Sequence, residues 1–190
     1  MQLLKDKILA EGKVMPGNIL NVSSFLNQQV DINLYNEIGK EFLQRFNSVP
    51  VTRILTIEAS GIGIACVTAQ YFNVPVVFAR KFRAKNIDSN LYLANVTSYT
   101  HGINYTISVP KQYLNESDSV LLIDDFLANG CAMEGLINIV HESGAKLAGA
   151  GVVIEKGFQG GGKRIRQQNI RLKSLVIIES MDDNNIVFRQ

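Results

Sequence analysis

The chain has 190 residues, 46% of them hydrophobic and 19% charged, with a formal net charge of +2. That is enough apolar material for one domain with a sizeable core, and too little charge for a disordered chain or too little basic excess for a generic nucleic-acid or membrane-surface binder. No apolar run reaches the roughly 18 residues that span a bilayer, the opening Met1 to Ile8 breaks into charge and is no signal peptide, and Cys66 and Cys131 read as free thiols of a cytoplasmic protein.

In chain order, the first clear helix is predicted over Asp31 to Phe46, with Tyr35, Ile38, Phe42 and Phe46 on one face and Asp31 as its cap. Val51 to Ile57 is apolar and β-branched, a buried strand. A helix over Ile64 to Phe72 and a second strand over Val74 to Ala79 follow. Arg80 to Val109 departs from this alternation: basic residues come first, then two alternating runs, Leu91 to Tyr99 and Ile103 to Val109. That pattern predicts a hairpin extending from the sheet with a basic tip.

Val120 to Ile123 is again a continuous apolar strand. The helix after it carries Met133, Leu136, Ile137 and Val140 on one face and stops at Gly144. Leu147 to Ile154 gives a further strand and Ser174 to Glu179 a last one. Strands buried on both faces and separated by helices imply an α/β domain with a central, mostly parallel sheet. Ligands of such sheets sit at the carboxyl ends of the strands, here just after Ile57, Ala79, Ile123 and Ile154.

Two adjacent acids, Asp124 and Asp125, follow the central strand, and a short loop, Ala128-Asn129-Gly130-Cys131-Ala132, opens the next helix. Free N–H groups at a helix start suit a phosphate, and Asn129 adds an amide donor. Carboxylates repel phosphate, so the acids require another partner: ribose hydroxyls or Mg²⁺. The plainer reading is a pair of solvated strand-end acids and a helix cap; two acids plus a phosphate-type loop on one unit favour a ligand site.

Glu58-Ala59-Ser60-Gly61-Ile62-Gly63 is a second turn open to close anion approach. It matches a dinucleotide fingerprint only in part, for Cys66 replaces the third glycine and Arg80-Lys81 stands where an acid is expected, although Arg80 would suit a 2′-phosphate and keeps an NADP reading of this segment open. The cations Lys81, Arg83 and Lys85 are either a solvated face or a lid over a departing anion. Gly157 to Arg164 nearly matches a nucleotide-binding P-loop, but Arg164 occupies the Ser/Thr position and too little chain follows. A glycine-rich turn beside a bound ligand is the better use, with Lys156 at the strand end as a pocket candidate and Phe158 against an aromatic face.

The stretch Ile123 to Gly130 resembles the phosphoribosyl-diphosphate signature of the type I phosphoribosyltransferases, an apolar strand, two acids, then Ala-Thr-Gly-Gly-Thr. Asn129, Cys131 and Ala132 replace Thr, Gly and Thr here, leaving backbone amides and Asn129 to hold the 5′-phosphate. The likeness is to the purine-using members and covers nearly the whole chain. It implies a single domain over 1–190: a parallel sheet flanked by helices, a hood from about 1–35 and 155–175, and a flexible β-hairpin loop at about 80–109. It also implies transfer of 5-phosphoribosyl to N9 of xanthine, with Asp124, Asp125 and Lys81 catalytic. Ala128 to Ala132 with Ala59, Ser60 and Gly61 would bind the diphosphate substrate, and Leu20, Asn27 and Lys156 the base. Lys156 suits the oxo groups of xanthine; Asn27 from the residues alone is equally an ordinary turn residue. Mg²⁺ is expected to be held mainly through the substrate, and a cytoplasmic homodimer is expected, with no nucleic-acid or membrane partner. Guanine or hypoxanthine as the base is the nearest alternative. A regulator that binds phosphoribosyl diphosphate without turning it over is the other, though the ~50 residues before the first central strand show no concentrated basic face.

Overall fold

A computed structural model describes residues 1–82, 89–98, 103–182 and 185–189. Its centre is an eight-stranded sheet. Five parallel strands form the middle: β3 (Arg53–Ile57), β4 (Val76–Phe82), β7 (Ser119–Leu127), β8 (Lys146–Lys156) and β9 (Leu172–Asp182). The full order is β10-β9-β8-β7-β3-β4-β6-β5, with β10 (Asn185–Phe188) antiparallel at one edge and the hairpin β5 (Leu91–Ser98) and β6 (Ile103–Pro110) at the other.

Alternation along β7 divides the core. Leu121 and Ile123 face α2 (Ile32–Phe46) and α3 (Ser60–Phe72), whereas Val120 and Leu122 face α4 (Cys131–Glu142). Both sides are apolar, which is why these strands read as continuous hydrophobic runs. On the first side α2 lies close against β8. A Cβ on Gly151 would come within 2.7 Å of the Phe42 ring, so this position has room for no side chain.

Asp31 caps α2 by accepting from the Leu34 N–H at 3.1 Å, and it also pairs with Lys7 at 3.0 Å. Asp31→Ala should lower the unfolding free energy by about 1 kcal/mol, read from the urea midpoint at constant slope. An unchanged midpoint would show the cap to be dispensable.

Before α2 come α1 (Gln2–Glu11), a small hairpin of β1 (Lys13–Met15) and β2 (Ile19–Asn21), and one π turn at Ser23–Asn27. Leu4, Ile8, Leu20, Val22, Phe25 and Leu26 join them to the core on the α2 side. After β8, a 3₁₀ turn at Gly157–Gln159 leads into α5 (Gly161–Gln167).

Several sequence expectations are corrected. β7 does not end at Ile123: its ladder with β8 continues through Asp124↔Val152 to Leu127↔Glu155, and this pairing overrides the weak strand preference of the acids. The strand at Ser174 to Glu179 is not the last, because β10 folds back on it. Arg80 and Lys81 lie within β4, paired to β6, and are not a tip; Arg83 and Lys85 lie outside the described residues.

The connections place the site. β3 and β7 are neighbours, but β3 leads through α3 to β4 on one side and β7 leads through α4 to β8 on the other. The turns after β3 and β7 therefore diverge, opening a crevice at their carboxyl ends.

Candidate active site

The floor of the crevice is the end of β7. Asp124 and Asp125 are only 5% and 8% exposed. Asp124 Oδ1 accepts from the Asp125 N–H at 3.0 Å, and Asp125 Oδ1 accepts from the Phe126 N–H at 3.0 Å. Burial, and then the charge of Asp125, push the Asp124 carboxyl well above the usual carboxylate range. As neighbours on a strand, the two acids leave it on opposite faces; burial first and then the charge of Asp124 raise the pKa of Tyr105 on β6. Such a pair has spare lone pairs in a dry setting and calls for hydroxyl donors.

Behind Asp124 lies the start of α3. A Cβ on Gly61 would stand 3.0 Å from Asp124 Oδ1 and would collide with Thr56 Oγ1, so only glycine lets helix and carboxylate approach this closely. Thr56 Oγ1 is buried with no hydrogen-bond partner among the described residues.

Two helix starts face the crevice. The loop after β7 enters α4 through Gly130, at φ +88°, and no side chain caps that helix. A cavity of about 140 Å³ lies over it, lined by Ala128 to Ala132 together with Thr97, Tyr105 and Phe126. The turn after β3 enters α3 through Ala59, again with no side-chain cap, and the Glu58–Ala59 peptide is cis. Uncapped N-termini leave N–H groups and a positive dipole end for an anion. Glu58 ties this turn to β4: it accepts from the Lys81 N–H at 2.8 Å and pairs with Arg80 at 3.6 Å. The Lys81 ammonium stands 5.2 Å from the centre of the Tyr105 ring, the ring that lines the α4 cavity. Lys81 thus reaches toward the same space as the β7 loop.

The remaining candidates lie toward the N-terminal segment. Lys156 ends β8, donates to the Asn18 carbonyl at 2.9 Å and stands 5.8 Å from the Phe126 ring centre. Burial lowers its pKa from the ordinary lysine value, and an anionic partner would oppose that shift. Leu20 is buried in β2, and Asn27 is exposed at the end of the π turn. Tyr35 bridges the two regions: its hydroxyl donates to the Leu26 carbonyl, and burial, followed by the charge of Asp125, raises its pKa to about 12. Phe158 is exposed.

Sequence reasoning missed Tyr35 and Tyr105 as site residues, and named Glu58 within the turn without giving it a role. The tyrosines carry ordinary core periodicity, and only their neighbours across the fold mark them. Gly157 to Gly162 is also split: the 3₁₀ turn follows Lys156, but Gly161 packs behind the β7 loop, its N–H donating to the Ala128 carbonyl at 3.1 Å.

Residues 27–188 match the phosphoribosyl transferase domain family. The whole chain is 56% identical to xanthine phosphoribosyltransferase of Ruminiclostridium cellulolyticum, covering all of both chains. It is 57% identical to the enzyme of the same name from Lachnoclostridium phytofermentans, covering 98% of it. Among solved structures, it resembles the APRTase of Giardia lamblia complexed with 9-deazaadenine, at a TM-score of 0.78 and 25% identity over 94% of this chain and 98% of that one. The fold is also that of the Trypanosoma brucei adenine phosphoribosyltransferase bound to AMP, pyrophosphate and ribose-5-phosphate, at a TM-score of 0.75 and 21% identity, covering 92% of this chain and 79% of that one.

Proposed function

The chain belongs to the phosphoribosyl transferase domain family, and from that premise we propose that it is a xanthine phosphoribosyltransferase. It transfers the 5-phosphoribosyl group of 5-phospho-α-D-ribose 1-diphosphate to N9 of xanthine, giving xanthosine 5′-monophosphate and diphosphate. The observation that carries this reading is the pair of buried carboxylates on β7 lying between two uncapped helix starts. One cradle for a monophosphate, one for a diphosphate and acceptors for hydroxyls between them match the substrate in order.

The Ala128 to Ala132 loop holds the 5′-phosphate on its amides, with Asn129 as side-chain donor. Asp124 and Asp125 hold the ribose hydroxyls and favour the positive charge that grows at C1′. The bond from C1′ to diphosphate breaks as the bond from N9 forms, and the proton of the base N–H passes to solvent. Ala59, Ser60, Gly61 and Lys81 receive the charge accumulating on the leaving diphosphate. Lys156 faces an oxo group of the base, and Leu20 and Asn27 complete its pocket. Catalysis is positioning and electrostatic stabilisation, with no covalent enzyme intermediate.

Mg²⁺ takes a few carboxylate and phosphate oxygens and keeps its remaining waters. Asp124 and Asp125 are donors of that class, so the site suits an ion carried in mainly by the substrate. When bound it would offset the charge of the diphosphate. The same reading takes the N-terminal segment and 155–175 as a hood over the base, and the protein as a cytoplasmic homodimer.

The test is an ultraviolet assay with phosphoribosyl diphosphate and Mg²⁺, run with xanthine, guanine and hypoxanthine in parallel. Mg²⁺-dependent nucleotide formation with the highest kcat/KM for xanthine is expected. A preference for either other purine would reassign the base. Binding of phosphoribosyl diphosphate with no turnover of any base would make the protein a sensor.

A further inference from the structure

The loop that holds the phosphate has another side. The loop lines the cavity, and its Ala128 and Asn129 carbonyls are taken up by α5, whereas the Gly130 carbonyl accepts inside α4. Gly161 N–H donates to the Ala128 carbonyl at 3.1 Å, and Arg164 Nη2 donates to the Asn129 carbonyl. Arg164 Nε also donates to Glu134 Oε1 at 3.2 Å, on the first turn of α4.

We propose that Arg164 is a positioning residue that aims the β7 loop's amides at the 5′-phosphate, an inference resting on the phosphoribosyl reading of that loop. The reason is peptide geometry. Both loop peptides are trans, and in a trans peptide the C=O of one residue points opposite to the N–H of the next. Holding the Ala128 carbonyl toward α5 turns the Asn129 N–H the other way. Holding the Asn129 carbonyl there does the same for the Gly130 N–H. Gly161 fixes the first peptide and Arg164 the second.

The contact depends on close approach. A Cβ on Gly161 would fall 2.6 Å from the Gly130 N, so α5 must begin with glycine to lie against the loop. Arg164 then spans two acceptors with one planar group, a task its fork geometry allows and a lysine ammonium does less well. The clamp joins the loop's carbonyl to the first turn of α4, closing both ends of the cradle. This chain has the more need of it because Cys131 and Ala132 offer no hydroxyl to the phosphate. Binding therefore leans on backbone amides, whose direction must be set from behind.

Arg164 is 46% exposed at its side chain, so its removal takes nothing from the core. Ribose 5-phosphate probes the β7 loop together with the two acids that precede it, neither of which Arg164 touches, and pyrophosphate probes the turn after β3. For Arg164→Ala, calorimetry is expected to show ribose 5-phosphate weakened about tenfold and pyrophosphate within about twofold. KM for phosphoribosyl diphosphate should rise by a similar factor, with kcat nearly unchanged. Arg164→Lys keeps the charge and loses the fork, and is expected to behave closer to alanine than to arginine. Equal weakening of both ligands, or no weakening of either, would overturn the inference. Full recovery by lysine would also overturn it, reducing Arg164 to a nearby charge. If the unaltered protein binds neither ribose 5-phosphate nor phosphoribosyl diphosphate, the reading of the loop itself fails and takes the inference with it.

Discussion

Replacing Asp125 by alanine is expected to lower kcat by about 100-fold or more while leaving KM for xanthine within about twofold. The carboxylate lies at the end of β7, 8% exposed, with one oxygen engaged by the Phe126 N–H. A charge held in place and out of water interacts strongly with charge that appears nearby. The positive character at C1′ exists chiefly in the transition state, so its loss falls on turnover. In the proposed reading the base lies elsewhere, beside Lys156 and the N-terminal segment, so its affinity has little reason to change. Asp125→Asn separates the two contributions, because the amide oxygen still accepts from Phe126 and the charge is gone. It should fall nearly as far as alanine. A native kcat in either variant, with the protein folded by circular dichroism, would remove the electrostatic role from Asp125.

A second large effect concerns stability. Glu155, the penultimate residue of β8, is almost fully buried, at 2% exposure, and Arg166 of α5 engages both its oxygens at 2.8 and 2.7 Å while Ser174 donates to one of them. Arg166→Ala leaves that carboxylate buried beside a single hydroxyl and should cost about 2–3 kcal/mol, toward the low end of values for broken buried pairs because Arg166 itself is partly exposed. The pH dependence has a definite sign. Burial alone would raise the Glu155 pKa; the bonds from Arg166 and Ser174 outweigh it and hold the group below its ordinary value. Its contribution is thus complete above the unfolded-state pKa and is lost as pH falls through the folded one. In the alanine variant this acid-side loss should shrink, since the buried carboxyl then protonates more readily. Urea titrations at neutral and mildly acidic pH measure both. A shift below about 0.5 kcal/mol at neutral pH would mean that the pair contributes nothing net.

The parts of the fold legible in the sequence were those whose burial is periodic. α2 shows Tyr35, Ile38, Phe42 and Phe46 on one face behind a capping Asp31, and the structure has all five in those roles. The middle strands are apolar on both sides because helices cover both faces. The unit of β7, loop and α4 was legible through its acids and glycine. Other elements left fainter traces. α1 buries only Leu4 and Ile8, and β1 and β2 have three residues each, too short for any period to register. α5 begins with glycines, poor helix formers, and its place is set by the loop it packs against. At the candidate site, Asp124, Asp125 and the two turns were visible as local motifs. Tyr35 and Tyr105 were not, nor was the role of Glu58, because what marks them is proximity created by the sheet order.

The adjacency of β3 and β7 also bears on how the protein is made. Their pairing joins segments such as Thr52 and Ser119, 67 positions apart, and such ladders form late because a long loop must close before any contact rewards it. A growing chain that has only reached β6 owns the turn at Ala59 and Lys81 but neither carboxylate, and nothing yet flanks β3 on that side. If these residues bind the substrate as proposed, its recognition arises in one step, when β7 docks and α4 follows it. Once there, a ligand spanning both turns bridges two halves of the sheet that the backbone joins only at a distance, and its binding free energy becomes resistance to their separation.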